Sequence, residues 1–285
     1  MVGMWKMADI KLFVCCHQQA EIPDHSLLVP IQVGAAFAET YFPNFVYDNV
    51  GENISEKNRS YCELTAQYWA WKNVNADYLG FFHYRRFLYP DFRRRRPYRI
   101  ERRVDLTLLD KLGYDRFAEI ICQYDMIAPI GEEMNVSVRE HYANAPYHRR
   151  SDLERMERIV LERCPKMSQA LETYLSGSVC WFGNIYIMRY ETFHHYCSWL
   201  FPLLEEFDRR TDFTDYTVQE RRVDGYLAER LFGIYLTFYR SSLKTLELPR
   251  VHFYSGREYF QRQILNGLLP PGSKRRSLLK ALRRK

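Results

Sequence analysis

Short apolar runs alternate with segments of helical spacing along most of this chain, and that alternation narrows its fold more than any other feature. Ile10–Cys16 (IKLFVCC) reads as a buried first strand. Residues 27–33 (LLVPIQV) form a second extended run broken by Pro30, and 77–82, 124–130, 181–189 and 246–248 follow as strands. Helices are expected over 106–120, 136–142, 152–162, 190–208 and 223–238, and over 58–73, with Ser60-x-x-Glu63 as a capping box starting it near Ser60. Strands and helices in alternation predict an α/β domain around a largely parallel sheet flanked by helices. In such sheets ligands bind beyond the carboxyl ends of the strands.

The chain's 285 residues suffice for one domain with a sizeable core, and no repeat or low-complexity linker divides them. A single domain over 1–272 is expected, followed by a basic tail over 273–285. The seven cysteines are odd in number and form no C-x-x-C pair. That argues against a zinc or disulfide framework and for free thiols in a reducing compartment. Residues 1–9 hold no apolar signal core, and no run approaches the roughly eighteen apolar residues of a membrane span. A soluble or peripheral protein is expected. The 22 Tyr and 18 Phe leave two readings open, a sugar-facing cleft or an aromatic core.

Positive charge is concentrated in two places. Residues 92–103 hold seven Arg against one Glu, and 274–285 hold seven Lys or Arg and no acid. With +6 and +7 there, the total of +6 leaves −7 for the rest of the chain. Localised patches suit an anionic surface, lipid head groups or nucleic acid. In the tail, Leu278, Leu279 and Leu282 share one helical side, flanked by Lys274, Arg275, Arg276, Lys280, Arg283, Arg284 and Lys285. This predicts an amphipathic segment that docks on an anionic membrane. The acidic remainder argues against a broad nucleic-acid-binding face.

Four polar constellations fall where strands end or loops begin. His83, Arg85 and Arg86 terminate a very apolar strand and could hold a diphosphate, or form a structural ion-pair cluster. Asp48, Asn49, Asn53 and Asn58 sit in a polar loop that could receive a ribose or base, or simply cap the following helix. Asp224 and Glu229 lie in RVDGYLAER, each either a general base or the partner of a local Arg. Asn184 stands among apolar residues and is either a ligand contact or a structural bridge. No phosphate-loop, dinucleotide, serine-elbow or H-E-x-x-H motif occurs, and no persuasive D-x-D pair.

Several of these segments together carry a family resemblance: IKLFVCCH, PIQVGAA, D-N-x-G-E-N-I-S-x-K-N, YCELTAQYWAWKN, GFFHYRRF and DGYLAERL. The chain resembles a bacterial glycosyltransferase family, long known as a domain of unknown function, found in capsule, exopolysaccharide and O-antigen clusters. The resemblance runs from about Ile10 to Leu248. It implies a GT-A-like fold and transfer of galactofuranose from its UDP-sugar to a lipid-linked glycan, without cofactor or D-x-D-bound metal. It implies positive charge from His83, Arg85 and Arg86 on the leaving diphosphate, and Glu229, with Asp224 second, as the base. Asp48, Asn49, Asn53, Asn58, Tyr61, Glu63 and Asn184 would surround the donor. Work on the cytoplasmic face of the membrane, with no nucleic-acid partner, is the matching expectation. The Arg-rich stretch 93–103 and the tail lie outside the resemblance. A nucleic-acid-binding protein and a non-catalytic glycan-binding scaffold are the competing readings.

Overall fold

The computed structural model describes residues 8–92, 96–270, 273 and 275–276. In chain order the strands are β1 Ile10–Cys16, β2 Leu28–Gln32, β3 Val46–Tyr47, β4 Tyr78–His83, β5 Arg86–Leu88, β6 Tyr98–Glu101, β7 Met126–Pro129, β8 Glu132–Glu133, β9 Val179–Cys180, β10 Tyr186–Arg189, β11 Thr245–Leu248 and β12 Arg250–Phe253. Among the described residues ten of them join one mixed sheet. Its main path runs β11-β7-β10-β4-β1-β2-β3, with β5, β12 and β6 continuing from β4. β1 pairs in parallel with β2 and β4, and β7 with β11. β10 runs antiparallel to both its neighbours. The expected layered α/β architecture is present.

Side-chain alternation in the central strands explains why both faces are covered. Along β1, Phe13 and Cys15 enter one core while Leu12, Val14 and Cys16 enter the other. In β4, Leu79 and Phe81 join the first, and Tyr78 and Phe82 the second. The first core is roofed by helices Leu64–Asn73, Arg150–Arg163, Ser168–Ser176, Tyr190–Arg209 and Val223–Tyr239. The second is closed by Leu106–Lys111, Phe117–Ile121 and the β5, β12 ribbon. Most of the aromatic excess is core. Trp71 stacks on Phe201 at 5.7 Å, and Tyr186 on Phe232 at 5.6 Å.

Several elements depart from the sequence expectation. The helix over 58–73 is two helices, Asn58–Tyr61 and Leu64–Asn73, because Cys62 adopts φ 52° between them. The Ser60-x-x-Glu63 capping box does not form: Ser60 Oγ donates to Asp224, and Glu63 accepts from Asn184 instead. The strand over 181–189 shortens to β10. Gly183 at φ 97° and Asn184 at φ 50° turn the chain in the left-handed region just before it, which extended pairing cannot accommodate. The segment 106–120 divides at Gly113 (φ 84°). Ser168–Ser176, β12 and Gly256–Leu268 were not anticipated, and residues 98–101 of the Arg-rich stretch form strand β6. Among the described residues no helix is long and apolar enough to cross a membrane.

Candidate functional site

A cleft of about 1400 Å³ opens at the carboxyl ends of β1 and β4. Its lining comes from six places: Cys15 at the end of β1 with His17 just after it, Val33 after β2, the segment 56–63, the β4–β5 hairpin, Gly183, and the stretch from Asp208 to Glu229. This is the end of the sheet where parallel strands leave loops free to hold a ligand.

Cations dominate one wall. Arg85 and Arg222 are exposed and Arg86 is half-buried. Among the described residues none of the three has a carboxylate within ion-pair distance. Arg85 rests on the Tyr84 ring at 5.2 Å. Two imidazoles sit among them, with His17 and His83 ring centres 5.8 Å apart. His83 does not carry the positive charge assigned to it from the sequence. Burial, then Arg86 and Arg85, push its pKa down to about 2, so the ring is neutral at working pH. Its Nδ1 accepts the Arg85 backbone N–H at 3.2 Å. The His17 pKa is likewise lowered, by burial and by Arg85 and Arg222.

That depression has a stability consequence. His252, on β12 opposite Arg86, is also held to about 2, by burial and by Arg250 and Arg86. Both rings stay neutral when folded but bind a proton near pH 6.5 when unfolded. Their contribution is therefore present above about pH 6.5 and is lost as pH falls toward the folded value. Each should cost about 1.5 kcal/mol between pH 6.5 and 5. Urea unfolding at the two pH values should show this loss, and His83→Asn with His252→Asn should flatten it; an unchanged slope in the double variant refutes the assignment.

The same cleft also carries carboxylates. Glu229 accepts the Gly183 backbone N–H on Oε1 at 2.6 Å and Arg230 Nη1 on Oε2 at 2.7 Å. Glu63 accepts Asn184 Nδ2 at 2.9 Å on Oε1. Its pKa is raised, chiefly by burial and further by Glu229, with the Asn184 hydrogen bond opposing. Asp208 Oδ2 receives Lys57 Nζ at 3.1 Å and the Tyr61 hydroxyl at 2.9 Å, which ties the segment 57–61 to the end of the helix Tyr190–Arg209.

The sequence-derived residues thus divide. His83, Arg85, Arg86, Asn58, Tyr61, Glu63 and Glu229 line the cleft. Asp224 does not. It is fully buried, accepts the Ser60 hydroxyl, and its carboxyl is pushed well above the usual range by burial and by the Asp208 carboxylate. A carboxyl sealed away from the cleft in this way has no access to an acceptor's proton. Asp48 is also fully buried. Its oxygens are consumed by the backbone N–H groups of Gly34 and Ala35 (2.8 and 2.9 Å) and the hydroxyls of Ser55 and Thr65 (both 2.5 Å). Asp48 therefore fastens the loop rather than meeting a donor. Asn49 donates to the Tyr41 hydroxyl, and Asn53 shapes its own turn through the Gly51 carbonyl and the Ser55 N–H; neither lines the cleft. Asn184 is buried and spends both amide hydrogens on Glu63 and the Gly225 carbonyl, the structural bridge of the two readings.

His17, Asp208 and Arg222 are cleft residues that sequence reasoning did not single out as site residues. The signal for His17 was present, since it follows β1 directly, as His83 ends β4. Asp208 offered no local signal, because it ends a helix far along the chain. Tyr61, Phe213 and Tyr226 are the aromatic residues in the lining, so the aromatic excess serves the cleft only in small part. Among the described residues no group of three His, Cys, Asp or Glu is placed to hold a metal ion. All seven cysteines are free. Of the tail, Lys274, Lys280, Arg283, Arg284 and Lys285 lie outside the described residues.

A mixed sheet between helical layers, with a cleft at the ends of its parallel strands, is the GT-A-like α/β fold of glycosyltransferases. In fold it is similar to the bifunctional glycosyltransferase WbbM, solved in its apo form, at a TM-score of 0.82 and 29% identity. That match covers 87% of this chain and 46% of WbbM, so the chain spans less than half of that protein's length. The chain belongs to the family described as Domain of unknown function (DUF4422), whose pattern matches residues 11–240. No curated protein matches it in sequence.

Proposed function

We propose that this chain is a glycosyltransferase that moves a sugar, galactofuranose by the family resemblance, from a UDP-sugar to a hydroxyl of a lipid-linked glycan during cell-surface polysaccharide synthesis, at the cytoplasmic face of the membrane. The observation that carries the proposal is the gathering of Arg85, Arg86 and Arg222 at the strand ends without a carboxylate partner among the described residues. Uncompensated guanidinium groups in a cleft attract a phosphate anion and hold it by paired N–H donors. The likeness to WbbM, itself a bifunctional glycosyltransferase, supports glycosyl transfer as the chemistry.

In an inverting displacement the acceptor oxygen attacks the anomeric carbon as the bond from that carbon to the diphosphate oxygen breaks. The departing UDP gathers negative charge, which the three guanidinium groups neutralise. The neutral His83 ring can donate a hydrogen bond but no charge, and burial with Arg85 and Arg222 shifts His17 in the same direction. The acceptor proton passes to a carboxylate of the cleft. Glu229, the sequence-derived candidate, has both oxygens engaged. Glu63 keeps one oxygen without a side-chain partner, and burial raises its pKa, the direction that makes a carboxylate a stronger base. We therefore assign the proton to Glu63 and a fixed negative charge to Glu229.

Arg85→Ala and Arg86→Ala should each weaken UDP binding by about 1.5–3 kcal/mol, the worth of a charged hydrogen bond. Isothermal titration with UDP tests this; wild-type affinity in both variants would sink the diphosphate assignment. Because the cations supply the electrostatic stabilisation, turnover of a UDP-sugar should persist in excess EDTA. Complete loss that Mn²⁺ or Mg²⁺ restores would contradict the metal-free reading. A nucleic-acid reading would place the ligand on the basic patches instead, and UDP would then not protect the fold against heat.

A further inference from the structure

Arg102 and Arg276, one from each basic patch and far apart in sequence, meet the same helix, Gly256–Leu268. None of that helix's residues is buried. Phe260, Ile264 and Leu268 follow at four-residue intervals and so share one side, with 54%, 65% and 70% of their surfaces exposed. Leu265 beside them is exposed as well. A stripe of large apolar side chains left in water is unfavourable unless something covers it.

The charges around the stripe indicate what does. The Arg102 guanidinium, from the segment after β6, lies 4.8 Å from the Phe260 ring and 5.1 Å from the Tyr259 ring. Arg257 is exposed on the helix itself. At the other end, Arg276 Nη1 donates to Asn266 Oδ1 at 2.5 Å and to the Leu269 carbonyl at 3.1 Å, and sits 6.0 Å from the Tyr98 ring of β6. Arg275 is exposed next to it. The nearby acids are neutralised, Glu258 by Arg262 at 2.9 Å and Glu101 by Arg99. Arg102, Arg257 and Arg275 have no carboxylate partner among the described residues.

We infer that this face docks on an anionic lipid surface, with Phe260, Ile264 and Leu268 in the acyl boundary and the arginines among the head groups. An apolar stripe bordered by uncompensated cations is the pattern that lies flat in a bilayer interface. A protein partner would have no need of the cations, and a nucleic acid no need of the aliphatic side chains. The anchor is thus a folded helix of the body, and Arg275 and Arg276 add charge beside it. The helix springs from β12, whose Phe253 N–H donates to the Arg85 carbonyl at 2.9 Å, so the docked face connects directly to the cationic wall of the cleft. The inference concerns the surface alone and stands whether or not the chain transfers a sugar.

Co-sedimentation of the full chain decides it, with vesicles of phosphatidylcholine alone or mixed with an equal part of phosphatidylglycerol. Binding should require the anionic lipid and weaken with salt. The triple variant Phe260→Ser, Ile264→Ser, Leu268→Ser should bind at least about tenfold more weakly, with unchanged UDP affinity and melting temperature. A chain ending at 276 should bind more weakly but remain sensitive to the same triple substitution. Triple-variant binding equal to the parent's, or equal binding to neutral vesicles, would overturn the inference. So would a parent dimer in light scattering that the triple variant dissociates while neither chain pellets with vesicles, since the stripe would then cover a second copy.

Discussion

Glu229→Gln should destabilise the folded chain by about 3–5 kcal/mol, the cost of leaving a buried charge unpaired. Arg230 is 1% exposed, and its counter-charge is Glu229 Oε2 at 2.7 Å. The guanidinium otherwise faces the rings of Tyr142 and Phe182 at 5.3 and 5.4 Å, and its Nε has no hydrogen-bond partner. Glutamine keeps the length of the side chain and can still accept the Gly183 N–H, but it removes the negative charge. Urea denaturation at neutral pH measures the difference. A loss below about 1 kcal/mol would mean that the pair is not what holds Arg230 in place.

Glu63→Gln should leave stability and UDP affinity close to those of the parent and lower turnover by about 10²-fold or more. Asn184 can still donate to the amide oxygen, so the geometry of the wall is retained while the proton acceptor is removed. The raised Glu63 pKa adds a second readout. The acid limb of the parent's pH–rate profile should lie above the usual carboxylate range and vanish in the variant. Turnover unaffected by Glu63→Gln, but abolished in Glu229→Gln under conditions where that variant is folded, would return the proton to Glu229. The two substitutions separate the roles because one should be read mainly in stability and the other mainly in rate.

The alternation of apolar strands and amphipathic helices was legible because it is a local property. Ile10–Cys16 appears as written, since seven residues with apolar groups on both sides must be covered on both faces. The helix Tyr190–Arg209 follows from its own periodicity. The cationic cluster after β4 was legible for a similar reason, as a strand end delivers its next residues to the ligand-binding edge of the sheet. What the sequence could not decide were properties that depend on neighbours brought in from elsewhere. Asp48 and Asp224 looked as available as Glu63 and Glu229, yet their burial is set by Gly34, Thr65 and Ser60, residues 14 to 164 positions away. His83 looked like a cation, but burial between two arginines makes it neutral. Asp208 joins the cleft only because a helix ending at Arg209 packs against Lys57 and Tyr61. The Arg-rich stretch and the tail looked like separate patches until β6 and the helix Gly256–Leu268 placed Arg102 and Arg276 around one apolar stripe. Backbone periodicity is a property of adjacent residues, whereas charge state, accessibility and shared surfaces arise from the packing of distant ones, and only the tertiary structure settles them.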